Sequence, residues 1–278
     1  MEHETAVCAL CPRRCRIKPG ERGACLARIH RNHRLESLVY GAPAAIQIDP
    51  VEKKPFAEFM PGTKTFSIGT LGCNLFCRNC QNDTLSRGVP EEFPPERVSP
   101  EKLAESAVRH GCPSIAFTYN EPTIWAEYAL DIARAAHKTG LKTLLVTNGF
   151  ITPEAAEVLY PEIDAANIDL KSMNRNFYRE NCGGNLEDVL NSVRLYHGTG
   201  GHLELTTLVI PGLNDSPEET EEILDFAESL GHPRPVLHFS RFFPYHNLAC
   251  LPPTPPETLY RIREQAAKRG IAVHLGNL

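Results

Sequence analysis

The stretch FSIGTLGCNLFCRNC, residues 66–80, joins a short apolar, β-branched run to three cysteines, Cys73, Cys77 and Cys80, in a CxxxCxxC spacing. A run of this kind, followed by glycine, reads as a buried strand, and the cysteines then sit in the loop at its C-terminal end. Three thiolates within eight residues can wrap one face of a cubane iron–sulfur cluster. A closed tetrahedral metal site, or a cubane held wholly by protein, takes four ligands. The missing fourth ligand leaves one iron as a binding site.

The same strand-then-helix unit recurs downstream. Apolar runs follow at 114–119 (SIAFTY), 142–147 (KTLLVT), 165–170 (AANIDL), 203–210 (LELTTLVI) and 235–240 (PVLHFS), with IAVHL as a seventh near the end. Between them the pattern predicts helices around 100–110, 123–139, 153–159, 186–198, 217–230 and 255–268. Four of these start with a hydroxyl residue followed by proline, at Ser99-Pro100, Thr152-Pro153, Ser216-Pro217 and Thr254-Pro255. A side-chain oxygen can cap free amides there, and proline at the first helical position loses no bond. Ser216–Glu219 and Thr254–Glu257 also fit a capping box.

Strict alternation of strand and helix implies parallel strands with right-handed crossovers. A full eight-unit barrel needs roughly 250 residues, and the length left after the first strand fits six units. The expected fold is therefore α/β, a partial (β/α)6 TIM-like barrel over residues 61–278 with functional groups at the C-terminal strand ends. Residues 1–60 form a small cysteine-rich N-terminal extension, and the proline-rich acidic stretch 89–100 reads as a solvated connection.

Composition is ordinary for a globular chain, at 42% hydrophobic and 23% charged residues. The N-terminus has no apolar core of a signal peptide, and no window approaches the ~18 apolar residues of a membrane span, so a cytoplasmic protein is expected. Seven of the ten cysteines fall in two tight clusters, which reads as metal ligation rather than a disulfide frame. Cys112, Cys182 and Cys250 are isolated and read as plain buried or half-buried thiols. Residues 1–34 carry eight basic side chains against three acidic ones, in a chain of net charge −5. Such a basic segment could offset a thiolate-bound metal or meet an anionic partner such as nucleic acid.

Within that segment, CALCPRRCRIKPGERGAC supplies Cys8, Cys11, Cys15 and Cys25, with PGERG as the turn that returns the chain. Four thiols opening with CxxC can close a tetrahedral site. Zinc, an auxiliary iron–sulfur cluster, and free or redox-active thiols all remain open readings.

The CxxxCxxC motif after a first strand resembles the signature of the radical S-adenosylmethionine (SAM) superfamily. That resemblance implies a 4Fe-4S cluster on Cys73, Cys77 and Cys80, with the cofactor's amino and carboxylate groups on the fourth iron. TYNEP, 118–122, stands where the superfamily keeps a GGEP-like motif, making Glu121 the acid for the cofactor's amino group, with Tyr119 and Asn120 replacing the two glycines. VTNGF (146–150) and DLK (169–171) resemble segments of the pyruvate formate-lyase activating enzyme group that hold ribose and carboxylate, which implies roles for Asn148, Asp169 and Lys171. VIPGLND (209–215), with Pro211, resembles an adenine-side motif, and FFPYHNL (242–248) resembles a loop that places His246 near the ribose. Arg241, ending the sixth strand, is a candidate carboxylate ligand. LVYGAPAAIQIDPVEKKPFAEFMPG, FTYNEPTIW and PPTPPETL together look like the AmmeMemoRadiSam-system radical enzymes over nearly the whole chain.

The resemblance implies an enzyme that reductively cleaves SAM and uses the 5′-deoxyadenosyl radical to abstract hydrogen from a small-molecule or protein substrate. A one-electron donor such as flavodoxin or ferredoxin is expected. An alternative is an activating enzyme that forms a glycyl radical on a partner protein. A reading from another class is an iron–sulfur or zinc sensor binding nucleic acid through its basic N-terminus, but it leaves TYNEP, DLK and VIPG without a purpose.

Overall fold

A computed structural model describes residues 5–90 and 97–278, so residues 91–96 of the proline-rich connection lie outside the described residues. The strands are β1 (Ala6–Val7), β2 (Arg16–Ile17), β3 (Arg28–Arg31), β4 (Arg34–Ser37), β5 (Ala45–Pro50), β6 (Lys64–Gly69), β7 (Ser114–Phe117), β8 (Lys142–Thr147), β9 (Ala165–Asp169), β10 (His202–Val209), β11 (Val236–Arg241) and β12 (Val273–Gly276). β1–β2 and β3–β4 are small separate pairs, and β5 to β12 lie side by side in chain order in one sheet. From β6 to β12 every pairing is parallel, whereas β5 runs antiparallel to β6.

Helices Pro100–Arg109, Ala126–Lys138, Pro153–Leu159, Leu186–Gly198, Pro217–Ser229 and Pro256–Lys268 fill the crossovers. Six strand–helix units and a final strand make the expected partial (β/α)6 barrel. The sheet's β-branched and aromatic residues form a core with the inner helix faces, including Phe117, Trp125, Tyr128, Ile168 and Phe239, all fully buried.

β5 is an addition to the expected strand set. It falls in the segment assigned to the N-terminal extension, and its Ile46 and Ile48 are each 40% exposed, so an edge strand with outward apolar residues gave no burial rhythm to read.

Three of the four hydroxyl–proline starts cap as expected: Ser99 accepts from Lys102 N (3.3 Å), Thr152 from Ala155 N (3.3 Å) and Ser216 from Glu219 N (3.1 Å). Thr254 does not. Its hydroxyl accepts from Phe242 N (3.1 Å) and donates to the Val209 carbonyl (2.6 Å), tying two strand ends together, so the helix starts uncapped after Pro255. The box at Ser216 is also only half made. Glu219 turns away to accept from the Ser172 hydroxyl and Met173 N, bracing the loop after β9.

The N-terminal ends of the strands are closed by the turn between β5 and β6. Val51 and Phe56 pack on Ala116, Leu144 and Ala165. Glu204, near the start of β10 and fully buried, accepts from Ala57 N (2.9 Å), Glu58 N (3.1 Å), His202 (2.8 Å) and His238. Burial would raise this carboxyl, but the two imidazoles and two amides hold it down at about 2.

Candidate active site

The opposite, C-terminal strand ends carry the segments singled out in the sequence. Cys73, Cys77 and Cys80 lie in the loop after β6, Glu121 just past β7, Asn148 past β8, Asp169 and Lys171 at the end of β9, Pro211 past β10, and Arg241 at the end of β11 with His246 in the following loop.

Asn120, in the place of a motif glycine, anchors the root of the cysteine loop. Its buried amide accepts from Thr70 N (3.0 Å) and the Trp125 indole (3.2 Å), and donates to Thr70 Oγ1 (3.0 Å) and the Gly72 carbonyl (2.9 Å). Tyr119, in the other glycine position, takes a left-handed φ of 69°. Its backbone thus keeps the conformation a glycine would supply. Its hydroxyl donates to Asp49 (2.8 Å), which also pairs with the buried Lys54 (2.8 Å).

Around Cys73 the donors face sulfur. Leu75 N lies 3.4 Å and Asn148 Nδ2 3.7 Å from Sγ, and Asn148 also donates to Asn74 Oδ1 (2.9 Å). Asn74 in turn donates to the Phe150 carbonyl (2.6 Å), locking the cysteine loop to the loop after β8. Burial, with the Glu121 carboxylate nearby, pushes the Cys73 thiol far above its ordinary range. Cys80 Sγ lies 3.6 Å from Ser86 Oγ, in the short helix Asp83–Arg87 that follows.

Cys77 meets Cys182, a residue read from sequence as an ordinary thiol. Contact with Cys182 lowers the Cys77 pKa and raises that of Cys182, with Lys171 and Arg87 adding positive charge. The two segments run together, with Phe76 N on the Cys182 carbonyl (2.8 Å) and Arg78 N on that of Asn181 (2.9 Å). Cys112 is buried as expected, whereas Cys250 is exposed, a correction to the reading of the isolated cysteines.

Glu121 is buried with both oxygens engaged: Thr123 N (2.9 Å) and the Thr147 hydroxyl (2.7 Å) on Oε1, and Asn148 N (2.8 Å) on Oε2. Burial raises its pKa against these donors. Lys171 Nζ pairs with Asp169 at 2.7 Å. Burial would discharge this lysine, but Asp169 and the Cys77–Cys182 pair hold it firmly protonated. The VIPGLND segment braces it: Asn214 donates to the Lys171 carbonyl (2.7 Å) and accepts from Ile210 N (2.6 Å).

Pro211, Arg241 and His246 make no hydrogen bond to the other candidate residues among those described. Arg241 donates to the Thr254 carbonyl (2.6 Å) and lies over the Phe243 ring, and His246 stands 3.6 Å from Asp83, next to the cysteine loop.

Cys8, Cys11, Cys15 and Cys25 line one small cavity with Arg13, Arg28 and Ile124. Desolvation, with the other three thiols close by, pushes Cys11 up to about 12. Among the described residues no three metal-ligating side chains stand as a finished site in either cluster. Sequence reasoning missed Asn74, Asn120, Thr147, Cys182 and Arg13, whose parts depend on contacts between segments far apart in the chain.

The family model for the radical SAM superfamily matches residues 67–227. The chain is 41% identical to an uncharacterized protein of Methanocaldococcus jannaschii over 98% of its own length and 81% of that protein's. It is 24% identical to pyruvate formate-lyase 1-activating enzyme of Escherichia coli, over 64% of this chain and 72% of that one. Among solved structures, Streptococcus suis SuiB bound to S-adenosylmethionine superposes with a TM-score of 0.59 at 16% identity, over 74% of this chain and 48% of that one. With more than half of its length matched and its cysteine motif in the loop after the first parallel strand, the chain belongs to the radical SAM superfamily, whose enzymes use a 4Fe-4S cluster and S-adenosylmethionine.

Proposed function

We propose that this chain holds a 4Fe-4S cluster on Cys73, Cys77 and Cys80, binds SAM at the fourth iron, and abstracts hydrogen from a small-molecule or protein substrate. When reduced by a donor such as flavodoxin or ferredoxin, the bound pair supplies a 5′-deoxyadenosyl radical. The carrying observation is the placement of three thiols at the end of the first parallel strand, beside the ends of the next three.

The donor set fits an anionic thiolate cluster. Amide donors face Cys73, and Lys171 and Arg87 add positive charge around Cys77. Asn120 and Asn74 hold the loop's shape. Lys171, kept protonated, would bind the cofactor's carboxylate, and Asp169 a ribose hydroxyl or ammonium, each exchanging its present partner. Glu121 has one lone-pair position left on Oε2 for the amino group. Asn148, Pro211, Arg241 and His246 would complete the cofactor's surroundings from the neighbouring strand ends.

The N-terminal thiols extend the proposal. Cys8, Cys11, Cys15 and Cys25 share one cavity and would hold zinc or a second iron–sulfur cluster. All ten cysteines are free, which supports a cytoplasmic setting, and no described helix is long and apolar enough to cross a membrane. Three of the eight basic side chains of the N-terminal segment are paired internally: Arg14 with Glu154, Arg28 with Glu127 and Arg34 with Glu36. That speaks against the nucleic-acid sensor.

Likeness to an activating enzyme over 64% of the chain favours glycyl-radical formation as the second reading. Anaerobic reconstitution with iron and sulfide, then dithionite and SAM, should yield 5′-deoxyadenosine and methionine, with none after Cys77→Ala. Retention of a full cluster and of product by that variant would end the proposal. A glycyl-radical signal on an added partner would select the second reading.

A further inference from the structure

The N-terminal cysteine module touches the catalytic loop directly. Arg13, between Cys11 and Cys15, donates to the carbonyls of Asn74, inside the CxxxCxxC loop, and of Gly183, beside Cys182. Its guanidinium also lies over Phe76, 4.5 Å from the ring centre. One side chain therefore grips both chain segments that flank Cys77. Arginine suits this part, because its planar fork can serve two carbonyls and an aromatic face together.

Two further ties set the module's position. The Cys25 carbonyl packs on Gly72, where an added Cβ would come within 2.3 Å of it and where φ is 97°, so only glycine fits. On the other side, Thr152 N donates to the Leu10 carbonyl (3.1 Å) and Thr152 Oγ1 to that of Ala9 (2.6 Å).

The module has little of its own to hold it in shape. Its first strand pair is two residues on each side, and its buried side chains are few: Cys8, Cys11 and Cys25 beside Ile17, Ala27, Arg28, Ile29 and His30. A segment this small needs a cross-link, and its four thiols are free of disulfides. A metal shared by Cys8, Cys11, Cys15 and Cys25 would supply it, since metal binding in such small units is folding free energy.

We propose that Arg13 is a positioning residue for the catalytic loop, and that the metal at the four N-terminal cysteines fixes Arg13 in place and thereby governs how firmly the loop holds its own cluster. This rests on the metal-binding reading of the N-terminal thiols given above. It assigns that metal a regulatory part distinct from electron transfer.

The test uses the full-length reconstituted protein and three kinds of variant. A Cys73→Ala/Cys77→Ala/Cys80→Ala chain should retain one zinc, or one cluster's worth of iron, by elemental analysis; no retained metal would sink the N-terminal reading on its own. Arg13→Ala in that background should retain the same metal. In the otherwise wild-type chain, Arg13→Ala should speed amide exchange across residues 70–82 at least about tenfold, the scale expected from losing charge-assisted hydrogen bonds. It should also shift the electron paramagnetic resonance signal of the reduced cluster, with Arg13→Lys restoring part of both. Cys8→Ser/Cys25→Ser should lose the N-terminal metal and reproduce the faster exchange. Exchange and signal unchanged by Arg13→Ala would overturn the positioning part. Metal loss in the double serine variant without faster exchange would overturn the coupling.

Discussion

The two ends of the barrel hold buried charge in different ways. At the N-terminal ends, Glu204 is enclosed by four donors from the closing turn, β10 and β11, and His274 stacks on His238 while meeting Glu58 at 3.2 Å. At the C-terminal ends, Glu121 also has three donors but keeps one lone pair open, Lys171 and Asp169 satisfy each other across two residues, and the thiols are met by weak, long contacts. A carboxylate locked by groups from several elements stabilises the fold, whereas partners that can be exchanged suit a ligand. Substitutions at the first end should cost stability, and those at the second should cost chemistry.

The largest expected effect is at Glu204. Glu204→Ala leaves two amides and two imidazoles without their acceptor and should cost about 3–5 kcal/mol in denaturant unfolding, while any variant that still folds should keep the cluster's spectrum. Equal damage to the spectrum would blur the division between the ends.

Acid should expose the same group. Its folded pKa of about 2 lies below the ordinary value near 4.5, so its stabilisation is full above pH ~4.5 and fades as pH falls from there toward 2. That amounts to about 3 kcal/mol over the window. Wild type should lose this increment in unfolding measurements between those pH values, and Glu204→Gln should show a flatter profile there.

Lys171→Met sharpens the contrast at the other end. It should lower 5′-deoxyadenosine formation by roughly tenfold to a hundredfold, the worth of one charge-assisted bond, while the midpoint of thermal unfolding moves little. Asn120→Ala lies between the two, at about 2 kcal/mol of stability together with a looser cysteine loop, read by amide exchange at Thr70 and Gly72. The smallest effect belongs to Ser99→Ala, about 1 kcal/mol for a lost cap on an exposed helix start.

The helices and parallel strands were legible because their signals are local: hydroxyl–proline starts, β-branched runs, spacing. Thr254 shows where local signals stop, since the same Thr-Pro pair that could cap a helix instead ties β10 to the segment after β11. Glu219 likewise has the sequence of a box but serves a distant loop. The motif cysteines announced themselves by spacing, yet Cys182, the thiol against Cys77, is more than a hundred positions away and had no pattern to betray it. Tyr119 concealed a glycine-like turn behind a large side chain, which only its φ reveals.

The grip of Arg13 on Gly183 spans 170 positions. A ribosome adding 5–20 residues per second makes the N-terminal thiols roughly 10–30 s before their last anchoring carbonyl emerges. The first cysteines to be translated thus wait for an anchor made much later. During that interval the finished barrel does not yet cover them.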